Sequence, residues 1–147
     1  MVVSIRELRA LPGFDDTLLA DGCPTRIVLD HVTSKWGVLV LLALSDGTHR
    51  WGELRRAVDG ISEKMLAQTL RILESDGLVL RDARPTIPPH VEYSLTTSGR
   101  ELVERMLPLV EWIARNADRM LLGAPAPVPV SVPVSASASV AESAAAS

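Results

Sequence analysis

A single cysteine, Cys23, stands among the 147 residues of this chain. No internal disulfide can form, and the chain suits a reducing cytoplasm. Lysine is almost absent, since of 15 basic residues only Lys35 and Lys64 are not arginine. No apolar run approaches the roughly 20 residues needed to cross a bilayer, so no membrane span is expected. Near the N-terminus Arg6 and Arg9 are followed by Asp15, Asp16 and Asp21 rather than by a long apolar core, unlike a signal peptide. There is no Gly-rich phosphate loop, no pair of catalytic carboxylates and no Ser-His-Asp set, so neither an enzyme nor a bound cofactor is expected. His31, His49 and His90 are scattered at no ligand spacing from each other or from Cys23, which argues against a metal site.

A strong charge of one sign is also missing. The formal net charge is −3. Its distribution says more than its sum. Residues 47–90 carry 7 basic and 6 acidic side chains, whereas residues 1–46 and 91–147 each carry 4 and 6. With so weak a basic field, affinity for nucleic acid has to come from placed contacts and from two copies of the domain.

From Ala124 to Ser147 the chain is almost wholly Ala, Val, Pro and Ser. Alternating prolines block any regular period and the side chains are too small for a core, so residues 124–147 read as a disordered tail. Residues 1–20 read as an extension in which residues 4–11 can form a short amphipathic helix, with Ile5, Leu8 and Leu11 on one side. So short a helix is stable only if it packs on something. The folded domain is expected over residues 21–123.

Within that domain Pro24 suits a first helical turn, with Ile27, Val28 and Val32 facing inward. Lys35 to Leu44 is apolar nearly all round and reads as a buried central helix, ended by Asp46-Gly47. Thr48 to Arg50 is a link or a small strand. Trp51 to Val58 reads as a helix with Leu54 and Val58 inward and Glu53, Arg55 and Arg56 outward. Asp59-Gly60 is a turn. The helix from Ile61 to Asp76 has Ser62 as N-cap, Glu63 in the first turn and Gly77 as its stop. Leu66, Leu70 and Leu73 form its inner stripe, and Lys64, Gln68, Arg71 and Ser75 lie opposite. Leu78 to Arg81 and Val91 to Leu95 are strand-like, joined by a connection stiffened by Pro85, Pro88 and Pro89. Thr96 or Thr97 caps a last helix with an apolar stripe at Leu102, Met106, Leu109, Ile113 and Ala117. Pro108 inside it predicts a kink.

The order of elements predicts a mainly α (α+β) fold, a winged helix-turn-helix with a two-stranded wing and a long C-terminal dimerisation helix. In such a unit the second helix lies in the major groove. Gln68 can pair with adenine, and Arg71 or Lys64 can reach guanine or phosphate. Ser62 stands at the helix N-terminus, and Met65 and Thr69 can meet a thymine methyl. Arg50, Arg55, Arg56, Arg81, Arg84 and His90 are placed for backbone or wing contacts. The stripe Leu102, Met106, Leu109 and Ile113 is expected to be a dimer surface.

Residues 23–112 resemble the HxlR-type regulators, bacterial winged helix-turn-helix proteins related to the MarR type. The resemblance rests on Cys23-Pro24, Lys35-Trp36, Glu53-Leu54-Arg55 and the run Gly60-Ile61-Ser62-Glu63-Lys64-Met65-Leu66. It continues in Leu73-Glu74, Asp76-Gly77-Leu78-Val79, Pro88-Pro89, Val91-Glu92-Tyr93-Ser94-Leu95-Thr96, Gly99 and Trp112. Trp51 stands where the family usually has Phe, and Arg84 and His90 depart from its usual aromatic and Arg. The resemblance implies a homodimer on a pseudo-palindromic double-stranded DNA operator, in the cytoplasm with the nucleoid; the family includes repressors and activators, and a repressor is expected here. It also implies oxidant or electrophile sensing through Cys23, whose place at a helix start favours the thiolate. A small-molecule effector is a further expectation without a named ligand. The alternative is a winged helix used for protein–protein contact without DNA.

Overall fold

In a computed structural model, residues 4–12 and 21–123 are described. The tail expected over residues 124–147 and the stretch 13–20 lie outside them. The chain forms two compact units, Met1–Val110 and Glu111–Ser147. The elements in order are α1 (Ile5–Leu8), α2 (Pro24–Thr33), α3 (Lys35–Ser45), β1 (His49–Arg50), α4 (Trp51–Ala57), α5 (Glu63–Ser75), β2 (Val79–Arg84), β3 (His90–Leu95) and α6 (Thr97–Leu121).

In the first unit α3 is the centre. Ser34 caps it, its hydroxyl oxygen accepting from the Gly37 N–H at 3.1 Å. Its continuous apolar sequence is matched by neighbours on several sides, for it packs against α2, α4, α5 and β3. Val40, Leu41 and Leu44 are buried with Leu54, Leu66, Leu70 and Leu73 of α4 and α5. Burying each such side chain stabilises the fold by about 1.5–3 kcal/mol.

Two expectations about the early helices need correction. Ile27 and Val28 are 46% and 43% exposed, and only Val32 of α2 is buried. The reason is the corner at Ser34, where α2 meets α3 through its last turn. A Cβ on Gly37 would lie 2.2 Å from the His31 carbonyl oxygen, so glycine is what allows that approach. In α1, Ser4 and Glu7 make a reciprocal capping box, but the helix buries no residue, and Ile5 and Leu11 are exposed. Local capping, not packing, accounts for the described helix.

The small strand after α3 forms, so the two wing strands belong to a three-stranded sheet. β3 is central, flanked by β2 and by the two-residue β1. β2 and β3 form the antiparallel wing with Val79 opposite Leu95 and Arg84 opposite His90. β1 adds His49 opposite Tyr93 and Arg50 opposite Glu92. The wing's tip carries a cis Ile87–Pro88 bond.

Thr96 joins three elements. Its backbone N–H donates to the Leu78 carbonyl at 3.0 Å. Its hydroxyl donates to the Gly77 carbonyl at 2.6 Å and accepts from the Gly99 N–H at 3.0 Å. It thereby starts α6 against the end of α5. Val103 is buried there, and Leu102 and Met106 pack on the first unit's own core. These two residues of the expected dimer stripe are thus half-buried against the chain's own core, because the α6 start pinned by Thr96 turns them towards it. Leu109 remains 59% exposed.

The described part of the second unit is the rest of α6 with two further turn residues. Nothing in it is buried. Trp112, Ile113, Met120 and Leu121 are 53%, 47%, 61% and 85% exposed. Pro108 lies inside α6, which continues to Leu121.

Candidate nucleic-acid interface

The site is built on α4, α5 and the strands that follow. α4 starts with the Glu53 carboxylate accepting from the Arg50 N–H at 2.6 Å. Leu54 and Val58 bury its inner side. Gly60 turns the chain with φ +81°, a conformation that costs other residues a Cβ clash. Ile61 is buried, and Ser62 caps α5 by accepting from the Met65 N–H at 3.1 Å.

At the far end of α5 the Leu78 N–H donates to the Leu73 carbonyl at 2.9 Å and the Gly77 N–H to the Glu74 carbonyl at 3.0 Å. With Gly77 at φ +75°, this is a Schellman ending, and its hydrophobic partner contact is supplied by buried Leu73 and Leu78. Asp76 beside it accepts from His31 Nδ1 of α2 at 2.7 Å. This partner lies 45 positions away in the sequence, so no local spacing could reveal the pair.

The turn and caps set the outward face of α5. Ser62, Lys64, Met65, Gln68 and Arg71 are all exposed. Thr69 is not: it is 7% exposed. Its expected contact with a thymine methyl is corrected on that ground. Thr69 lies one turn before buried Leu73 and shares its side of the helix.

The basic side chains around this face differ in how far they are already satisfied. Arg55 Nη1 lies 2.9 Å from Glu63 Oε1, tying α4 to the first turn of α5. Arg56 is exposed and meets no carboxylate among the described residues. On the wing, Arg84 Nε is 3.6 Å from Asp82. His90 Nε2 is 2.7 Å from Glu92 Oε1, both half-buried, so its imidazole is engaged on the sheet. The hydrogen bond from His90 holds the Glu92 carboxyl below its ordinary value, with the charges of Arg84 and Arg50 acting the same way.

Folding also brings together cations that are separate in sequence. Arg71 of α5 and Arg81 of β2 line one cleft of about 330 Å³, together with Glu74, Trp51 and Tyr93. Sequence reasoning placed Glu63 in the first turn of α5 but missed that Glu63, Asp82 and Glu92 pair with Arg55, Arg84 and His90 and so moderate the basic face. It also missed Ile87, which is wholly exposed at the wing tip. Its place between Pro85 and Pro88 was the available signal for that.

Two helices across a tight turn, an exposed polar face on the second and a β-hairpin after it define a winged helix-turn-helix. Residues 31–120 match the family model described as HxlR-like helix-turn-helix. The chain belongs to that family of transcriptional regulators, which are not enzymes. It is 53% identical over 107 residues to the HTH-type transcriptional regulator YtfH of Escherichia coli K12, a protein described as uncharacterized. That match covers 73% of this chain and 85% of the relative. A solved structure assigned as the transcriptional regulator ytfH of Salmonella typhimurium is 53% identical, with a TM-score of 0.68 over 72% of this chain and 95% of that one. The redox regulator HypR in its oxidized form is 40% identical, with a TM-score of 0.59 over 64% of this chain and 97% of that one.

Proposed function

We propose that this regulator represses transcription by binding, as a homodimer, a pseudo-palindromic operator in double-stranded DNA. The observation that carries this reading is the outward face of α5, where Lys64, Gln68 and Arg71 are exposed together on a helix held by a cap at each end. In this reading α5 enters the major groove and Gln68 and Arg71 meet base edges. Ser62 and Lys64 meet the backbone at the helix start, and Met65 touches a thymine methyl. Arg50, Arg55 and Arg56 hold phosphates, and the wing carries Arg81 and Arg84 to the flanking backbone. His90 contributes less, since Glu92 occupies its imidazole. Leu109 and Ile113 of α6 face the second copy. The protein works in the cytoplasm, on the nucleoid.

The test is a gel shift, at several salt concentrations, on the DNA just upstream of this protein's own coding sequence. Specific retardation that weakens as salt rises supports the proposal. Equal affinity for that fragment and for random duplex at low salt refutes it. Binding to neither duplex would instead support the alternative, a winged helix that serves protein–protein contact alone.

A redox response through Cys23 is part of the proposal. The similar protein HypR is a redox regulator, and Cys23 is the N-cap of α2. At 8% exposure the thiol has to become accessible before it reacts, so slow modification is expected. Operator binding by wild type should fall on oxidant treatment while Cys23→Ser stays unchanged. Identical responses of the two proteins would remove Cys23 from the mechanism.

A further inference from the structure

A second cleft lies in the first unit, on the other flank of the exposed face of α5. Its volume is about 340 Å³, at the lower end of the roughly 300–1,000 Å³ usual for small-molecule sites. Trp36 of α3 and Met65, Ile72 and Leu73 of α5 supply its apolar lining, and Asp30, His31 and Gln68 are among its polar residues. It therefore reaches from the α2–α3 corner to two residues of the proposed base-reading face, Met65 and Gln68.

The charges of this lining are unequal in their partners. His31 is engaged by Asp76 at 2.7 Å. The carboxylate of Asp30 meets no cation among the described residues. The Trp36 ring already carries the Lys35 ammonium 4.4 Å from its centroid, so a second cation belongs with Asp30 rather than over the indole. We infer that this cleft binds a small flat aromatic molecule bearing a protonated amine, its rings against Trp36 and Ile72 and its ammonium at Asp30. The apolar wall rewards the rings by burial, and the carboxylate selects the positive charge. Because Met65 and Gln68 line the same cleft, an occupant competes with duplex for them. This last step rests on the proposed DNA-binding reading, whereas the binding itself does not.

The experiment is calorimetric titration of the full chain, without DNA, using three probes of one shape: 2-naphthylmethylamine, 2-naphthylmethanol and 2-naphthoate. The amine is expected to bind at least tenfold more tightly than the alcohol, and the carboxylate most weakly. In Asp30→Asn, an exposed substitution, that preference should fall below twofold. In the nitrogen-labelled protein the amine should shift the Trp36 indole N–H resonance and leave those of Trp51 and Trp112 in place. Equal binding of the three probes, a preference retained in Asp30→Asn, or no heat at millimolar amine overturns the assignment. With operator duplex present, the amine should weaken the gel shift of wild type and leave that of Asp30→Asn unaffected. Binding at Trp36 with an unchanged gel shift overturns the competition. A chain that bound no duplex at all would refute the DNA-binding reading while the titration still decided the cleft.

Discussion

Gln68 and Arg71 stand three residues apart on the exposed side of α5, and under the proposed reading each lost base contact costs about 1–3 kcal/mol of operator preference. Gln68→Ala and Arg71→Ala should lower affinity for the operator but not for random duplex, whereas Arg56→Ala should weaken both alike. Competition gel shifts measure the difference. Glu92 offers a test that needs no DNA. Its carboxyl is held below its ordinary value by the hydrogen bond from His90, so its contribution is present above the unfolded-state pKa. It is lost as pH falls through the lower folded-state pKa. Glu92→Gln should therefore melt below wild type at neutral pH, with the gap closing as pH falls through the lowered folded-state pKa. A gap independent of pH would mean that the charge on Glu92 is not what stabilises the wing. The exposure of single residues on α5 was largely legible from 100° steps around a helix. Thr69 was misjudged because it borders the inner stripe, and only the neighbouring packing decides to which side a border residue belongs.

At the scale of elements, the joint between the wing and α6 is the most demanding. A Cβ on Gly99 would lie 2.1 Å from the Leu78 carbonyl oxygen, and that same oxygen accepts from the Thr96 N–H. Gly99→Ala has to move α6 or break that bond. It should lower stability by about 1–3 kcal/mol, as overpacked sites do, read as a reduced urea midpoint. An unchanged midpoint would mean that α6 has freedom at its start. The helices of the first unit were readable because caps and stops are local: Ser62, Gly77, Asp46-Gly47 and Pro24 each act within one turn. β1 was harder, since two residues have no period. His49 and Arg50 become a strand only because Tyr93 and Glu92 are there to pair with.

For the whole molecule, the question is what covers the apolar side chains that the chain leaves exposed. Leu109 is exposed in the first unit, and Trp112 and Ile113 are exposed in the second. Apolar surface of this kind favours a partner. Leu109→Asp or Ile113→Asp should give a monomer by light scattering, with operator binding weakened by tenfold or more, about 1.4 kcal/mol. A dimer of unchanged mass in both variants would contradict a partner at these residues. Leu102 and Met106 are not equivalent probes: because they pack on the chain's own core, substituting them should lower the stability of the fold as well. The spacing of the stripe alone could not divide it into an inward and an outward part.

Composition and local pattern by themselves determined the element order, the caps, the polar side of α5 and the absence of a bilayer-length apolar run, because each of these is decided within a few residues. Tertiary structure alone decided the rest. It joined His31 to Asp76, brought Arg71 beside Arg81, buried Thr69 and split the α6 stripe between core and surface. Each of those outcomes depends on which distant element arrives as neighbour, and a repeat along one helix carries no information about what packs across from it.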